Sequence, residues 1–456
     1  MPPASLPTNP RVLAIAILRQ GAENGVAIDQ LRDEELRRHR MADVRDRRLV
    51  MALVYGVLRW QRYLDWVLAE HAHHPLQKMN PLTLQALRVA IFQILFMDRI
   101  PDSAAINETI KILQAAHQPR WLTGFVNALL RAISARKTAL PGPSEAEKVP
   151  WRVGLSHPDW LLERWQTRYG HEATARLCQA NNTPPPLILR LNPARTNTNN
   201  FLELLTQAGI VAAPGAVAPD SVVLHGALPA VEDLPGFAAG LFMVQDQGAQ
   251  LIPLLFGPLP AGPLLDGCAG LGGKTTHLAS LLPAGARLVA VEPHPLRSIR
   301  LRENLTRLGY VDRVEIIPTG LAEYAHDCQK QFPSILLDVP CSGLGVIRRH
   351  PEIRWRRRLT DLARYQAMQS ELLNMAAPLL APAGVLVYAT CSTEPEENEA
   401  VIERFLDHHP DFSISPCTPT LPPVARIFVD DCGFFRTIPN LSGMDGFFAA
   451  RLVHSG

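Results

Sequence analysis

Apolar residues recur at helical spacing along the first part of the chain. The recurrence is clear in residues 12–18, 49–68, 82–97 and 122–133. A repeat of this kind places one face of a helix on a core. Pro81 and Pro101 fall where helix boundaries are expected. We therefore expect an all-helical region from about Arg11 to Arg136, followed by a linker rich in proline and glycine near residues 139–145.

The middle of the chain mixes two periodicities. Residues 158–179 are helical in pattern, and residues 201–208 predict a shorter helix. Residues 186–192 and 220–224 are short apolar runs of the kind that form strands. This mixture predicts a small α+β module over residues 150–242.

From about Met243 onward, short apolar runs alternate with amphipathic stretches. The runs lie at residues 264–265, 287–291, 314–317, 335–337 and 385–388. Strands that alternate with helices predict a doubly wound, mostly parallel sheet. The sequence thus predicts three parts, which are an all-α domain at 1–140, the α+β module at 150–242 and a Rossmann-like α/β domain at 243–456.

The composition is that of a globular protein, with 47% hydrophobic and 19% charged residues. No apolar run approaches the ~20 residues that a membrane-spanning helix needs, and Met1 to Ser5 do not resemble a signal peptide. The seven cysteines include no Cys-x-x-Cys pair, which favours a reducing, cytoplasmic setting and argues against a disulfide framework. His71, His73 and His74 precede Pro75 at the end of a predicted helix, so we expect no metal site there.

Two cysteines follow strand-like runs in this last region. Cys341 follows Ile335 to Leu337, Cys391 follows Val385 to Val387, and each is succeeded by serine. Both thiols are therefore expected at the carboxyl ends of strands, where open α/β sheets bind ligands. A single cysteine in such a place is usually a small buried hydrophobe. Two of them favour nucleophilic catalysis by a thiolate.

A glycine-rich turn follows the run at residues 264–265. The phosphate-binding P-loop pattern fails here, because Cys268 stands six positions before Lys274 where a glycine is required. The dinucleotide pattern fails as well, because Thr275 replaces its third glycine. The remaining interpretation is an adenosine-type cofactor lying against the turn.

Two further features agree with an adenosine cofactor. Gly272 and Gly273 would let the backbone approach a ligand closely. Glu292 ends the next strand-like run, where a carboxylate can accept hydrogen bonds from both ribose hydroxyls. A solvated loop carboxylate is the alternative for Glu292.

The net charge of +2 does not itself indicate nucleic-acid binding. Basic residues nevertheless crowd after Cys341, in residues 348–350 and 354–358. Such a cluster is often a solvated face. Beside a thiol at a strand end, contact with the phosphate backbone of a nucleic acid is the better interpretation.

Several motifs together carry a family resemblance. They are Asp-x-Cys-Ala-x-x-Gly-Gly-Lys-Thr at 266–275, Asp-x-Pro-Cys-Ser-x-x-Gly at 338–345, Val-Ile-Arg-Arg-His-Pro at 346–351, Tyr-Ala-Thr-Cys-Ser at 388–392, Pro-Glu-Glu-Asn at 395–398 and Asp-Gly-Phe-Phe at 445–448. This set resembles the S-adenosylmethionine-dependent RNA 5-methylcytosine methyltransferases. The helical front end resembles the antitermination factor NusB through residues 55–59 and 125–131.

The resemblance implies a role for each matching residue. It makes Cys391 the nucleophile, Cys341 the thiol that assists product release, and Asp338 a group between the cofactor and the base. The implied contacts of S-adenosylmethionine are Cys268, Ala269, Gly270, Leu271, Gly272, Gly273, Lys274, Glu292, Thr319 and Asp338. Two positions depart from the family, which has Ala-Pro at Gly270-Leu271 and an acidic residue where this chain has Thr319.

The resemblance also implies the reaction, a methyl transfer to C5 of a cytidine in small-subunit ribosomal RNA, carried out by a monomer. One alternative places the nucleophile at Cys341, as in the DNA cytosine methyltransferases, and another makes a different RNA such as tRNA the substrate. A third is a non-catalytic RNA-binding or antitermination protein. The joint presence of Cys341, Cys391, Asp338 and Lys274 favours an enzyme.

Overall fold

The computed structural model describes residues 9–24, 27–39, 41, 43–72, 75–145 and 147–455 of the chain. The chain divides into two compact units. The first comprises Met1–Pro184 and Ile347–Arg357, and the second comprises Pro185–Val346 and Arg358–Gly456. A short stretch after Val346 therefore belongs to the first unit, although the chain on both sides of it belongs to the second.

The helices and strands of the described residues are as follows. The helices are α1 (Pro10–Asn24), α2 (Ile28–Arg38), α3 (Val44–His71), α4 (Pro81–Phe96), α5 (Asp102–Ala115), α6 (Arg120–Ala135), α7 (Trp151–Gly154), α8 (Asp159–Asn182), α9 (Thr198–Gln207), α10 (Gln247–Leu251), α11 (Gly273–Leu281), α12 (Pro295–Leu308), α13 (Leu321–Asp327), α14 (Ile353–Arg356), α15 (Leu359–Ala376), α16 (Glu399–His408) and α17 (Pro439–Ser442). The strands are β1 (Leu187–Leu191), β2 (Val211–Pro214), β3 (Ser221–His225), β4 (Phe242–Val244), β5 (Leu264–Asp266), β6 (Leu288–Val291), β7 (Val314–Ile317), β8 (Phe332–Asp338), β9 (Leu380–Thr390), β10 (Phe412–Ile414), β11 (Phe435–Thr437) and β12 (Phe447–His454).

The described part of the first unit is helical, which confirms the all-α prediction for the front of the chain. The apolar faces of α1, α3, α4 and α6 close on one core that contains Leu53, Leu64 and Leu130. Asn80 caps α4, because its side chain accepts a hydrogen bond from the Leu82 amide while Pro81 occupies the first turn. The sequence did not predict α2 or α5.

The stretch Ile347–Arg357 is anchored inside the first unit by buried hydrogen bonds. Arg354 is fully buried and donates to Oδ1 of Asn182 at 2.6 Å and to the Ser156 carbonyl at 3.1 Å. Trp355 Nε1 donates to the Leu58 carbonyl of α3 at 2.6 Å. Burial lowers the pKa of Arg354 to about 9. The prediction that this basic cluster faces a phosphate backbone is therefore wrong for Arg354, because its guanidinium group donates hydrogen bonds to carbonyl and amide oxygens of the protein itself.

A small antiparallel sheet opens the second unit, with strand order β2-β3-β1-β4. Leu189 of β1 and Phe201 of α9 meet in its core. The predicted boundary between residues 242 and 243 falls inside β4, which pairs with β1. The three-part division of the chain stays a prediction.

The larger sheet of the second unit has the strand order β10-β12-β9-β8-β5-β6-β7, and β11 pairs with β12. The five strands from β9 to β7 in this order are parallel, whereas β12 is antiparallel to β9. This confirms the predicted mostly parallel sheet. The order reverses at β5, whose neighbours are β6 and β8. Open α/β sheets bind ligands at such a reversal, outside the carboxyl ends of the strands.

Candidate active site

The two thiols meet at the carboxyl end of the sheet. Neighbouring strands β8 and β9 run parallel and pair Asp338 with Ala389, so the turns that follow them lie side by side. Cys341 and Cys391 consequently stand with their Sγ atoms 3.0 Å apart. The hydrogen bond with Cys391, together with burial, raises the pKa of Cys341 well above its ordinary value. Cys341 is therefore a neutral thiol at physiological pH, held against a second sulfur.

A partly buried ion pair stands at the same edge. Nζ of Lys274, on α11, lies 2.6 Å from Oδ2 of Asp338, the last residue of β8. The ammonium group also lies 5.4 Å from the centroid of the Phe447 ring. The Lys274 side chain is 10% exposed and that of Asp338 is 31% exposed. Lysine thus fixes one carboxylate oxygen of Asp338 and leaves the carboxyl group accessible at the strand end.

The glycine-rich turn between β5 and α11 is built around Asp266. Its carboxylate accepts hydrogen bonds from Thr275 Oγ1 at 2.7 Å and from the Cys268 amide at 3.3 Å. Burial raises the pKa of Asp266 to about 7. The turn follows β5 directly and therefore lies at the point where the strand order reverses.

Two glycines of the turn differ in what they require. Gly272 has a φ of +88°, and a Cβ there would lie 2.5 Å from Cδ1 of Leu301. Glycine is therefore demanded by the protein itself at this position. Gly273 does not have a positive φ, and a Cβ would come no closer than 3.9 Å to Nε2 of Gln245. The protein itself thus leaves room for a Cβ at position 273.

The acidic strand end lies beside this turn. Glu292 follows β6, is 4% exposed, and accepts a hydrogen bond from the His294 amide through Oε1 at 2.8 Å. Thr319 follows β7, whose pairing with β6 places both residues at the same edge of the sheet. A nearly buried carboxylate and a left-handed glycine turn match what an adenosine group requires. The residues of this edge therefore fit S-adenosylmethionine.

Two residues of this region were not identified from the sequence. The Glu397 carboxylate accepts hydrogen bonds from the residues that follow both cysteines, and the motif around it was noted only as a family match. Arg190 of β1 is buried and donates to the Gly273 carbonyl at 2.7 Å and to Thr276 Oγ1 at 2.8 Å. Arginine is rarely buried. Its presence within the apolar run of β1 was therefore the sequence signal that could have identified Arg190.

The described residues contain no group of three or more His, Cys, Asp or Glu side chains able to hold a metal ion. His71 bonds through Nδ1 to the Val67 carbonyl at 2.9 Å, while His73 and His74 lie outside the described residues. Among the helices that the structure describes, none combines the length and apolar character needed to cross a membrane.

Comparisons with known proteins agree with this site. The family model for 16S rRNA methyltransferase RsmB/F matches residues 254–453, the NusB family model matches residues 8–135, and the ferredoxin-like domain of RsmF/B-like methyltransferases matches residues 157–231. Ribosomal RNA small subunit methyltransferase B of Pseudomonas syringae is 39% identical over 87% of this chain and 86% of its own length. The protein of the same name from Salmonella paratyphi B is 36% identical over 98% of each chain.

The fold also matches a solved crystal structure with a TM-score of 0.80. The two sequences are 26% identical, and the match covers 98% of this chain and 99% of the other. The fold and the site thus define the class of S-adenosylmethionine-dependent RNA methyltransferases. Within that class, the chain belongs to the 16S rRNA methyltransferase RsmB/F family. The family resemblance, the fold class and the enzymatic character predicted from the sequence are confirmed.

Proposed function

We propose that this enzyme transfers a methyl group from S-adenosylmethionine to C5 of a cytidine in 16S ribosomal RNA, through a temporary bond between Cys391 and C6 of the base. The observation that carries the proposal is the pair of sulfurs 3.0 Å apart beside the Lys274–Asp338 ion pair. A single nucleophile would not need a second thiol in contact with it. Membership of the RsmB/F family supports the choice of ribosomal RNA.

S-adenosylmethionine supplies an electrophilic methyl group when bound. The residues proposed to hold it are those of the glycine-rich turn, Cys268 to Lys274, together with Glu292, Thr319 and Asp338. Glu292 would accept hydrogen bonds from the ribose hydroxyls, because its carboxylate is held at the end of β6 by the His294 amide. Thr319 can donate or accept one hydrogen bond near the adenine.

The chemistry of the base explains the need for a thiolate. C5 of cytosine is too weak a nucleophile to take a methyl group unaided. Addition of the Cys391 sulfur to C6 moves electron density onto C5, which is nucleophilic catalysis of the ordinary kind. Asp338, oriented by Lys274, would hydrogen-bond the ring during this addition. Loss of the C5 proton and departure of sulfur from C6 then restore the aromatic ring.

We propose different roles for the two thiols. Cys341 keeps its proton, because its pKa is raised by the bond with Cys391 and by burial. A neutral thiol can donate a hydrogen bond to a neighbouring thiolate, whereas two thiolates 3.0 Å apart would repel each other. We therefore propose Cys391 as the nucleophile and Cys341 as its proton-bearing partner.

A methylation assay followed by bisulfite sequencing tests this function. Purified enzyme, labelled S-adenosylmethionine and unmodified 16S ribosomal RNA should give label at one cytidine that then resists deamination by bisulfite. Transfer RNA in a parallel reaction should remain unlabelled. Label on tRNA alone would show that tRNA, and not 16S ribosomal RNA, is the substrate. A labelled nucleotide that bisulfite still deaminates would contradict methylation at C5.

Gly273→Val is expected to weaken S-adenosylmethionine binding by roughly 10- to 100-fold, since forcing extra methyl groups into occupied space costs ~1–3 kcal/mol. The variant should still fold, because the nearest protein atom to a new Cβ is 3.9 Å away. Titration calorimetry measures the affinity. Gly124→Val in α6, where a Cβ meets nothing within 4 Å, is the matched control. Unchanged affinity of Gly273→Val for S-adenosylmethionine would show that the cofactor does not bind at this turn.

A further inference from the structure

One carboxylate is bound to both of the turns that carry the thiols. Oε1 of Glu397 accepts hydrogen bonds from the Ser342 amide at 2.7 Å and from Nε2 of Gln369 at 3.2 Å. Oε2 accepts hydrogen bonds from the hydroxyls of both Ser342 and Ser392. Ser342 follows one cysteine and Ser392 follows the other, so the carboxylate links the two chain segments next to their sulfurs.

The position of this carboxylate is itself fixed. Glu397 is fully buried, and its carbonyl accepts a hydrogen bond from the Tyr388 hydroxyl at 2.6 Å. The next residue, Asn398, accepts from Thr390 Oγ1 at 2.6 Å and donates to the Ser392 carbonyl at 3.0 Å. The segment is thus attached to β9 before Cys391 and to Ser392 after it, which leaves the acidic side chain little freedom.

The sheet alone holds these turns only in part. Backbone hydrogen bonds join them from the Val339 amide to the Ala389 carbonyl at 3.0 Å and from the Gly345 amide to the Cys391 carbonyl at 2.9 Å. Both lie on the main chain and fix its path. The contacts of Glu397 act on the serine side chains and on the Ser342 amide, immediately after the thiols. They therefore restrain the part of each turn on which the sulfur positions depend.

We infer that Glu397 is a positioning residue that sets the distance between the Cys341 and Cys391 sulfurs by clamping Ser342 and Ser392. Its hydrogen bonds go to the two serines and not to the sulfurs, although its charge also helps to raise the pKa of Cys341. Its importance for turnover rests on the proposed function, because only a reaction that uses both thiols needs them at a fixed separation. The clamp itself is a property of the folded protein and can be tested without substrate.

The first test measures how closely the thiols are held. Phenylarsine oxide binds two neighbouring thiols through its arsenic and releases its oxygen as water. Its affinity therefore depends on how well the two sulfurs are placed in advance. Glu397→Ala should weaken its binding by about tenfold, because the partners are no longer held in the bound geometry. Glu403→Gln, which removes an exposed carboxylate from α16, should bind like the wild type. Cys341→Ala identifies the signal that arises from other cysteines.

Two further variants keep the test valid if Glu397→Ala does not fold. The double variant Ser342→Ala/Ser392→Ala removes both hydroxyl donors and should also weaken binding of phenylarsine oxide. Glu397→Gln retains the length of the side chain and one acceptor oxygen, so it should lie between wild type and the alanine variants. Wild-type affinity in the folded serine double variant and in Glu397→Gln would overturn the clamp.

The second test uses the reaction. In Glu397→Ala, kcat should fall by roughly 100-fold, the loss typical of a ~1 Å misplacement of a reacting group. KM for RNA and for S-adenosylmethionine should not change, since Glu397 is placed to touch neither. Glu397→Gln should recover part of kcat. A raised KM at unchanged kcat would contradict a positioning role. If the wild type fails to methylate C5, the proposed function falls, while the phenylarsine oxide measurement still decides on the clamp.

Discussion

Cys391→Ala is expected to lose both methyl transfer and the covalent protein–RNA complex. The nucleophile makes the first bond of the proposed sequence, because C5 gains electron density only after sulfur has added to C6. Cys341 is not expected to substitute for it, because burial still raises the pKa of Cys341 after the hydrogen bond with Cys391 is lost, and a thiol is a far poorer nucleophile than a thiolate. Removing an essential nucleophile typically lowers kcat by 10⁴-fold or more, and we expect a loss of about that size.

Denaturing electrophoresis with labelled RNA, alongside a filter assay for methyl transfer, measures both effects. Cys432→Ala removes an exposed thiol outside the site and is the matched control, expected to behave like the wild type. Calorimetry should show that Cys391→Ala still binds S-adenosylmethionine, because the glycine-rich turn is untouched. A covalent complex formed by Cys391→Ala would show that Cys341 is the nucleophile, as in the DNA cytosine methyltransferases.

The positions of the thiols were predictable because two local signals agreed. An apolar run that ends in a polar turn predicts a buried strand, and the carboxyl ends of parallel strands share one edge of a sheet. Cys341 and Cys391 were therefore expected at that edge. Their separation of 3.0 Å was not predictable. It depends on β8 and β9 being neighbours in register, with Asp338 beside Ala389, and no local pattern specifies the pairing of strands some fifty residues apart.

The residues that the sequence did not reveal all act through distant contacts. Glu397 belongs to the Pro-Glu-Glu-Asn motif, but nothing in that motif points to its contacts with two serines that the fold brings to it. Arg354 belongs to a basic run that predicts an exposed, phosphate-binding surface, yet it is fully buried among carbonyl and amide oxygens of the first unit. A charged side chain is buried only where enough partners surround it. Such a set of partners is not visible along the chain.

Glycine positions show the same limit on a smaller scale. Gly272 and Gly273 were expected for one reason, the close approach of a ligand. The structure separates them, because Gly272 needs its left-handed φ and its clearance from Leu301, whereas Gly273 has room for a Cβ. A sequence pattern can locate a glycine-rich turn. Only the backbone conformation shows which glycine serves folding and which is left to serve a ligand.

Cys341→Ala is expected to attack and methylate RNA once and then to accumulate as a covalent complex. After methyl transfer, a base must take the C5 proton, the released electron pair forms the C5–C6 double bond, and the bond from C6 to sulfur breaks. The departing Cys391 sulfur takes that bonding pair as a thiolate. Cys341 holds a proton 3.0 Å from this sulfur, because its pKa is raised, and can stabilise the leaving group by donating to it.

The two thiols should therefore fail at different steps, and this difference identifies them. With excess S-adenosylmethionine, Cys341→Ala should yield a band that survives denaturing electrophoresis, with close to one methyl group per bound RNA, whereas Cys391→Ala should yield none. Cys341→Ser is a useful comparison, since a hydroxyl can still donate a hydrogen bond and should release part of the complex. Normal turnover by Cys341→Ala would show that Cys391 departs unaided, and the close contact of the two sulfurs would then need another explanation than product release.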